Sequence, residues 1–132
     1  MTTVELLTVI VIIGVLSAIA MPAFFLHRDR ARDAQAKASA RAAQTAAMEV
    51  GTENDGRFDG PKGVTVLRLV SVDPSLAGED LSVPLATAET FTVRIRSDTG
   101  NTFDVKRNSD GTTNLTCASA DDAGCPSDGS WD

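Results

Sequence analysis

The sequence is poor in the side chains that carry chemistry in enzymes. Its 132 residues include no tyrosine, one tryptophan, one histidine and two cysteines. No base accompanies either cysteine, no glycine-rich loop suits a phosphate, and no cluster has the spacing of a metal site. The few aromatic residues form no regular series, so aromatic-mediated electron transport is not indicated. We therefore expect a structural protein with no catalytic residues and no cofactor.

Acidic side chains outnumber basic ones, 18 to 12, and the formal net charge is −6. A protein that binds nucleic acids generally needs a dense basic patch to meet the phosphates. No such patch is present, so the sequence offers no evident nucleic-acid site.

Charge is absent altogether from Leu6 to Leu26, which are 21 consecutive residues. As a helix this stretch would be about 31 Å long, close to the roughly 30 Å hydrocarbon core of a bilayer. A helix that is apolar on every face cannot be covered by one small domain. The stretch predicts a membrane anchor. A secretory signal peptide is disfavoured because the run is long and no basic residue precedes it.

Glu5 directly precedes the apolar run, and no positive side chain lies before Arg28. A carboxylate next to lipid is costly and usually marks function. Two interpretations stay open at this point. Either Glu5 is a solvated flank in the headgroup layer, or it pairs with the α-amino group of Met1 in an adjacent copy of the chain.

The segment MTTVELLTVIVIIGVLSAIAMPAFF resembles the N-terminus of type IV pilins and of type II secretion pseudopilins. The matching features are Glu5, the apolar run, Gly14, Pro22 and Phe24. The resemblance covers roughly the first third of the chain. It implies a leader that a prepilin peptidase removes before methylating the new N-terminus. Met1 then takes that first position, where the family usually has phenylalanine, unless it is an initiator methionine.

The resemblance also implies a role for individual residues. Met1 resembles the N-methylated terminus, and Glu5 resembles the acid that pairs with the amine of a neighbouring subunit. Gly14 and Pro22 bracket the part of the helix that often loses its hydrogen bonds in the family's filaments. Pro22 gives this a physical basis, since it lacks an N–H and crowds the carbonyl of Ala18.

The function implied is that of a structural subunit of a type IV pilus-like surface filament. Its partners would be copies of itself, the cytoplasmic membrane before assembly, the prepilin peptidase and the pilus assembly machinery. Its location would be the extracellular filament, with an unassembled pool in the membrane. The alternatives are a type II secretion pseudopilin and a membrane-tethered monomeric binding module.

Past the apolar run, an alanine-rich stretch predicts that one helix continues from about Thr3 to Glu53, where Asn54-Asp55-Gly56 ends it. Arg28, Arg30 and Arg32 would lie at the membrane surface, with His27 as an interfacial residue. Small residues at helical spacing predict the face that packs on a sheet: Ala31, Ala34, Ala38, Ala42, Thr45 and Met48.

The remaining chain predicts a small antiparallel β-meander after an irregular connector at 57–89 with one candidate strand at 64–70. Alternation of apolar and polar residues predicts strands at 90–97, around Phe103 and Val105, and at 112–116. The fold class is therefore α+β, with a pilin-like arrangement. We divide the chain into an apolar helical half at 1–26, an amphipathic half at 27–53 and a head at 54–132.

Two cysteines, Cys117 and Cys125, lie near the end of the chain and predict one disulfide in an exported protein. A metal or redox pair is disfavoured because CxxC spacing is lacking. A nearby acidic set, Asp121, Asp122 and Asp128, has no EF-hand spacing, so a solvated loop is favoured over a calcium site. The triplet 114–116 matches a glycosylation sequon, which arises often by chance.

Overall fold

The computed structural model describes residues 1–118 and 123–131. The elements follow one another as a long helix α1 (Thr3–Glu53), a short helix α2 (Val66–Val72), a 3-10 turn (Pro74–Gly78), and four strands, β1 (Asp80–Ala86), β2 (Phe91–Arg96), β3 (Thr102–Arg107) and β4 (Thr113–Cys117). The strands form one antiparallel sheet in the order β1-β2-β3-β4. The carboxyl-terminal half of α1 lies on one face of this sheet, so the predicted α+β fold is confirmed.

The ends of α1 agree with the predicted ones. The helix begins after Thr2, whose side chain accepts a hydrogen bond from Glu5 N, and it ends at Glu53 with Asn54 as its C-cap. Gly56, with φ of 80°, then reverses the chain and donates its N–H to Gly51 O at 2.7 Å. At 1.5 Å per residue, 51 helical residues extend about 77 Å, far beyond what the head can cover.

The face of α1 that packs on the sheet differs from the predicted one. Ala31, Ala34 and Ala38 are exposed, as are Thr45 and Met48, and of the predicted set Ala42 alone is partly buried against the core. The buried stripe consists of Asp33, Ala36, Ser39, Ala40, Ala43, Ala46, Ala47, Val50 and Gly51. Alanine occurs on every side of this helix, so its spacing alone does not distinguish the inner face.

The sheet confirms the predicted alternation. In β2, Phe91, Val93 and Ile95 are completely buried, and so are Phe103 and Val105 in β3. Because β2 and β3 pair with Val93 opposite Val105, these side chains lie on the same face. That face packs against the alanines of α1, where small side chains allow close approach of the two layers.

The connector is more regular than predicted, and the candidate strand at 64–70 is wrong. Residues 66–72 form α2, whose N-cap Thr65 accepts a hydrogen bond from Arg68 N. Only Leu69 of this helix is fully buried, packing into the core, whereas Leu67 is 85% exposed. The connector also contains β1, which pairs with β2 and adds a fourth strand.

The packing of Phe58 explains why Gly51, a residue that disfavours helices, lies inside α1. A Cβ atom at this position would come within 2.4 Å of the Phe58 ring. Phe58 in turn packs edge-on against Phe91, with ring centroids 4.8 Å apart. Because Gly51 has no side chain, the Phe58 ring can pack directly against α1 and cover that end of the core.

Candidate functional site

The first half of α1 is the largest unusual feature of the molecule. Every residue from 1 to 28 is exposed, including large apolar side chains such as Ile19 at 71% and Phe24 at 63%. By length and composition this helix suffices to cross a membrane, and the apolar window within it is 0% buried. Soluble monomers rarely expose apolar patches of more than a few hundred Å². The surface therefore requires lipid or other protein chains around it.

Glu5 has a partner that the sequence analysis missed. Its Oε2 accepts a hydrogen bond from Thr2 N at 2.7 Å, and Thr2 Oγ1 accepts one from Glu5 N at 3.2 Å. Together they form a capping box, and the spacing Thr2-x-x-Glu5 is its sequence signature. A carboxylate has room for about four hydrogen-bond donors, so one N–H leaves Glu5 able to accept an amine as well. Its pairing with a neighbouring Met1 stays a prediction.

In the single chain, α1 continues as a helix through both Gly14 and Pro22. Pro22 has no N–H to offer the carbonyl of Ala18, so one hydrogen bond of the helix ladder is missing there. A Cβ atom at Gly14 would meet no atom within 4 Å, so packing within the chain does not explain this glycine. The loss of helical bonds that the family resemblance implies concerns the assembled state and stays a prediction.

Arginines follow the apolar surface directly. Arg28, Arg30 and Arg32 are all exposed, and the Arg28 guanidinium lies over the Phe25 ring at 5.1 Å from its centroid. Three cations and the acidic Asp29 within five residues form a collar of net positive charge between the apolar half of α1 and the head. Such a collar suits the headgroup layer of a membrane, where long basic side chains extend toward water.

Asp33 joins α1 to the head, and the sequence analysis gave it no role. It is completely buried. Its Oδ1 accepts a hydrogen bond from Thr99 Oγ1 at 2.5 Å, and its Oδ2 accepts bonds from Asn101 Nδ2 at 2.7 Å and Gly124 N at 2.8 Å. One carboxylate thereby ties the helix to the β2–β3 turn and to the segment that precedes Cys125. Position 33 is separated by alternating steps of three and four residues from the buried alanines 36, 40, 43 and 47. This helical spacing was the sequence signal that could have placed Asp33 on the buried face of α1.

The hydrogen bonds to Asp33 determine its ionisation. Burial alone opposes the charged form, but the donors from Ser97, Thr99, Gly124 and Asn101 outweigh it and lower the pKa of the Asp33 carboxyl below its ordinary value. Gly124 is required for this contact, since a Cβ atom there would lie 2.5 Å from Asp33 Cβ. The Asp33 carboxyl is therefore ionised at neutral pH, and it joins α1 to the head as a charged group.

The cysteines form the predicted disulfide. Cys117 at the end of β4 is bonded to Cys125, with their Cα atoms 5.9 Å apart. Asp121 and Asp122 of the acidic set lie outside the described residues, and Asp128 Oδ1 accepts a hydrogen bond from Ser130 N. Among the residues that the structure describes, no group of three or more histidine, cysteine or acidic side chains is arranged to hold a metal ion.

Trp131 is a further contact that the sequence analysis did not anticipate. It is 3% exposed and packs edge-on against Phe103 with ring centroids 5.9 Å apart. The Arg41 guanidinium lies over its ring at 5.3 Å. A single tryptophan in a polar, glycine-containing stretch was the only sequence signal for this role.

Comparison of the chain with known protein families, with curated proteins and with solved structures found no match. The resemblance to type IV pilins consequently stays a prediction from the residues at the start of α1, and the structure adds a long helix packed on a small antiparallel sheet.

Proposed function

We propose that this chain is a structural subunit of a type IV pilus-like filament that polymerises through its N-terminal helix. One observation carries the proposal: α1 is exposed on all sides from residue 3 to residue 28 and is apolar for most of that length. The head leaves this surface entirely uncovered. Packing the helices of several copies together removes the surface from water without needing lipid.

The exchange of lipid for protein around the helix is the central step of the proposed mechanism. Before assembly the subunit lies in the cytoplasmic membrane, where an intact helix keeps its backbone polar groups paired. The assembly machinery then extracts it after a prepilin peptidase has exposed the Met1 amine. Lipid contacts are replaced by contacts with neighbouring helices, so the apolar side chains stay out of water throughout.

Glu5 would set the axial position of each incoming subunit. Its carboxylate accepts only one described hydrogen bond, from Thr2 N. In a bundle of apolar helices, an unpaired carboxylate is costly, and the positive amine of Met1 on a neighbour is the nearest complementary group. A subunit that docks one turn too high or too low leaves the carboxylate buried without that partner.

Electron microscopy of sheared cell-surface material tests this proposal. Long filaments that react with antibody against the head support a pilin. Absence of filaments, together with loss of protein export when the chain is deleted, supports a type II secretion pseudopilin. Absence of filaments with export intact supports a membrane-tethered monomeric binding module. The matched control is a strain that expresses Glu5→Val, which should insert in the membrane and form no filaments.

A further inference from the structure

The two edge strands of the sheet differ in how they resist pairing with another chain. β1 contains Pro84, carries the acidic residue Asp80, and has an irregular register between Ser82 and Leu85. Proline, charge and bulges are the usual devices that protect a sheet edge. β4 reads Thr-Asn-Leu-Thr-Cys and has none of them. Its protection must come from elsewhere in the chain.

The segment 125–131 provides a cover for β4. The register with β3 turns the backbone groups of Thr113, Leu115 and Cys117 away from the sheet. Cys117 N donates to Gly129 O at 2.8 Å, and Trp131 N donates to Leu115 O at 3.3 Å. The segment therefore lies where a fifth strand would pair.

Both ends of this segment are fixed to β4. At one end the disulfide joins Cys125 to Cys117. At the other end, Trp131 Nε1 donates to Thr116 O at 2.8 Å while its ring is buried against Phe103. A segment of seven residues without a helix or strand of its own stays in place because of these two attachments.

We propose that the segment 125–131 is an edge guard: by occupying Leu115 O and Cys117 N, it blocks the carboxyl-terminal part of the β4 edge, through which two copies of this chain would otherwise pair. The inference goes beyond filament assembly and does not depend on it. It implies that the heads are kept from joining sheet to sheet.

The bare edge of β4 suits a second β4 better than another partner. Its outward residues, Thr113, Leu115 and Cys117, are symmetric about Leu115, so two antiparallel copies related by a two-fold axis can each present donors and acceptors to the other. No charged side chain in β4 opposes the approach. A groove of about 500 Å³ lies beside residues 113–116 and is also lined by Arg41, Gln44 and Ser130.

The test uses the full chain in detergent micelles, with a photo-crosslinking amino acid at position 114. The first variant is Trp131→Ala, which removes the anchor and keeps the disulfide. Trp131→Leu keeps an apolar contact with Phe103 and loses the indole hydrogen bonds, and it decides the outcome if Trp131→Ala unfolds the head. Each is also made with Thr113→Pro, which removes an outward N–H that contributes nothing to the β3–β4 ladder.

We expect the wild-type chain to stay monomeric without crosslinks at position 114. A folded Trp131 variant should reach twice the monomer mass and crosslink β4 to β4, and Thr113→Pro should weaken this association at least tenfold. Three results would overturn the proposal: crosslinking in the wild type, a folded Trp131→Leu variant that stays monomeric at the highest concentration reached, or a dimer that Thr113→Pro leaves unchanged.

Discussion

Replacing Asp33 with asparagine tests whether this carboxylate holds the head on α1. Asparagine keeps the size of the side chain and one oxygen, which can still face Asn101 Nδ2 and Gly124 N. The amide nitrogen then lies toward Thr99 Oγ1, whose hydroxyl can turn to accept. The contacts survive in number but lose their charge. Hydrogen bonds to charged groups contribute about 1.5–3 kcal/mol and neutral ones about 1, so Asp33→Asn should destabilise the head by about 1–3 kcal/mol.

Removing the side chain should cost more. In Asp33→Ala, the N–H groups of Asn101 and Gly124 have no acceptor, and each unsatisfied buried donor costs about 1–3 kcal/mol. We therefore expect a loss of about 2–6 kcal/mol for alanine, clearly above the loss for asparagine. The matched control is Asp29→Asn, one turn earlier on the same helix, which should change the free energy of unfolding by less than about 0.5 kcal/mol.

Urea unfolding of the full chain in non-ionic detergent micelles measures these differences, with Trp131 fluorescence as the probe. Trp131 is the only tryptophan and is 3% exposed, so its emission reports on the head alone. Equal stability of Asp33→Asn and Asp29→Asn would refute the role assigned to Asp33. So would a loss for alanine no larger than the loss for asparagine.

The pH dependence of stability gives an independent check on Asp33. Its pKa is lowered in the folded protein from a starting value of 3.8, so the unfolded chain binds a proton more readily. Stability from this group is therefore present in full above pH 3.8 and is lost as the pH falls through the folded pKa. Asp33→Asn should show a shallower acid loss than the wild type. Identical acid profiles for the two proteins would contradict the assignment.

Three further predictions use other parts of the chain. Gly51→Ala forces a methyl group into the Phe58 ring and should destabilise the head by about 1–3 kcal/mol in the same urea assay, whereas Gly14→Ala should not; equal effects would be contrary evidence. Reducing the disulfide should cost about 2–4 kcal/mol, and free thiols in native protein by mass spectrometry would overturn the bond itself. Glu5→Gln should insert normally in membranes and fail to form filaments, and normal filaments from this variant would refute its role in register.

The sequence predicted the elements that have one strong pattern. The continuous apolar and alanine-rich stretch indicated α1 to the residue at both ends, because helix propensity and the Asn54-Asp55-Gly56 stop agree. Strict alternation in β2 and β3 indicated a sheet with one buried face. In both cases local preference and tertiary burial favour the same conformation, so no other part of the chain was needed for the inference.

Predictions failed where tertiary contacts, and not local sequence, determine the conformation or burial of a residue. The β-branched run at 64–70 favours a strand, but the Thr65 cap and the burial of Leu69 stabilise α2 instead. Asp33 appears in the sequence as one charge among several arginines, and its donors come from positions 66, 68 and 91 residues away. Its burial and its partners follow only from the way the β2–β3 turn and the disulfide segment meet the helix.

A reconstruction of native filaments at a resolution that traces the backbone tests the central claim most directly. Our account predicts residues 1–26 of many copies packed together in the filament core. It also predicts each Glu5 carboxylate beside the Met1 amine of a neighbour, and helical bonding interrupted between Gly14 and Pro22. Unbroken helical hydrogen bonding between Gly14 and Pro22 would refute only the predicted interruption of the helix. Filaments held together by their heads, with α1 outside the core, would contradict the proposal that this chain polymerises through its N-terminal helix.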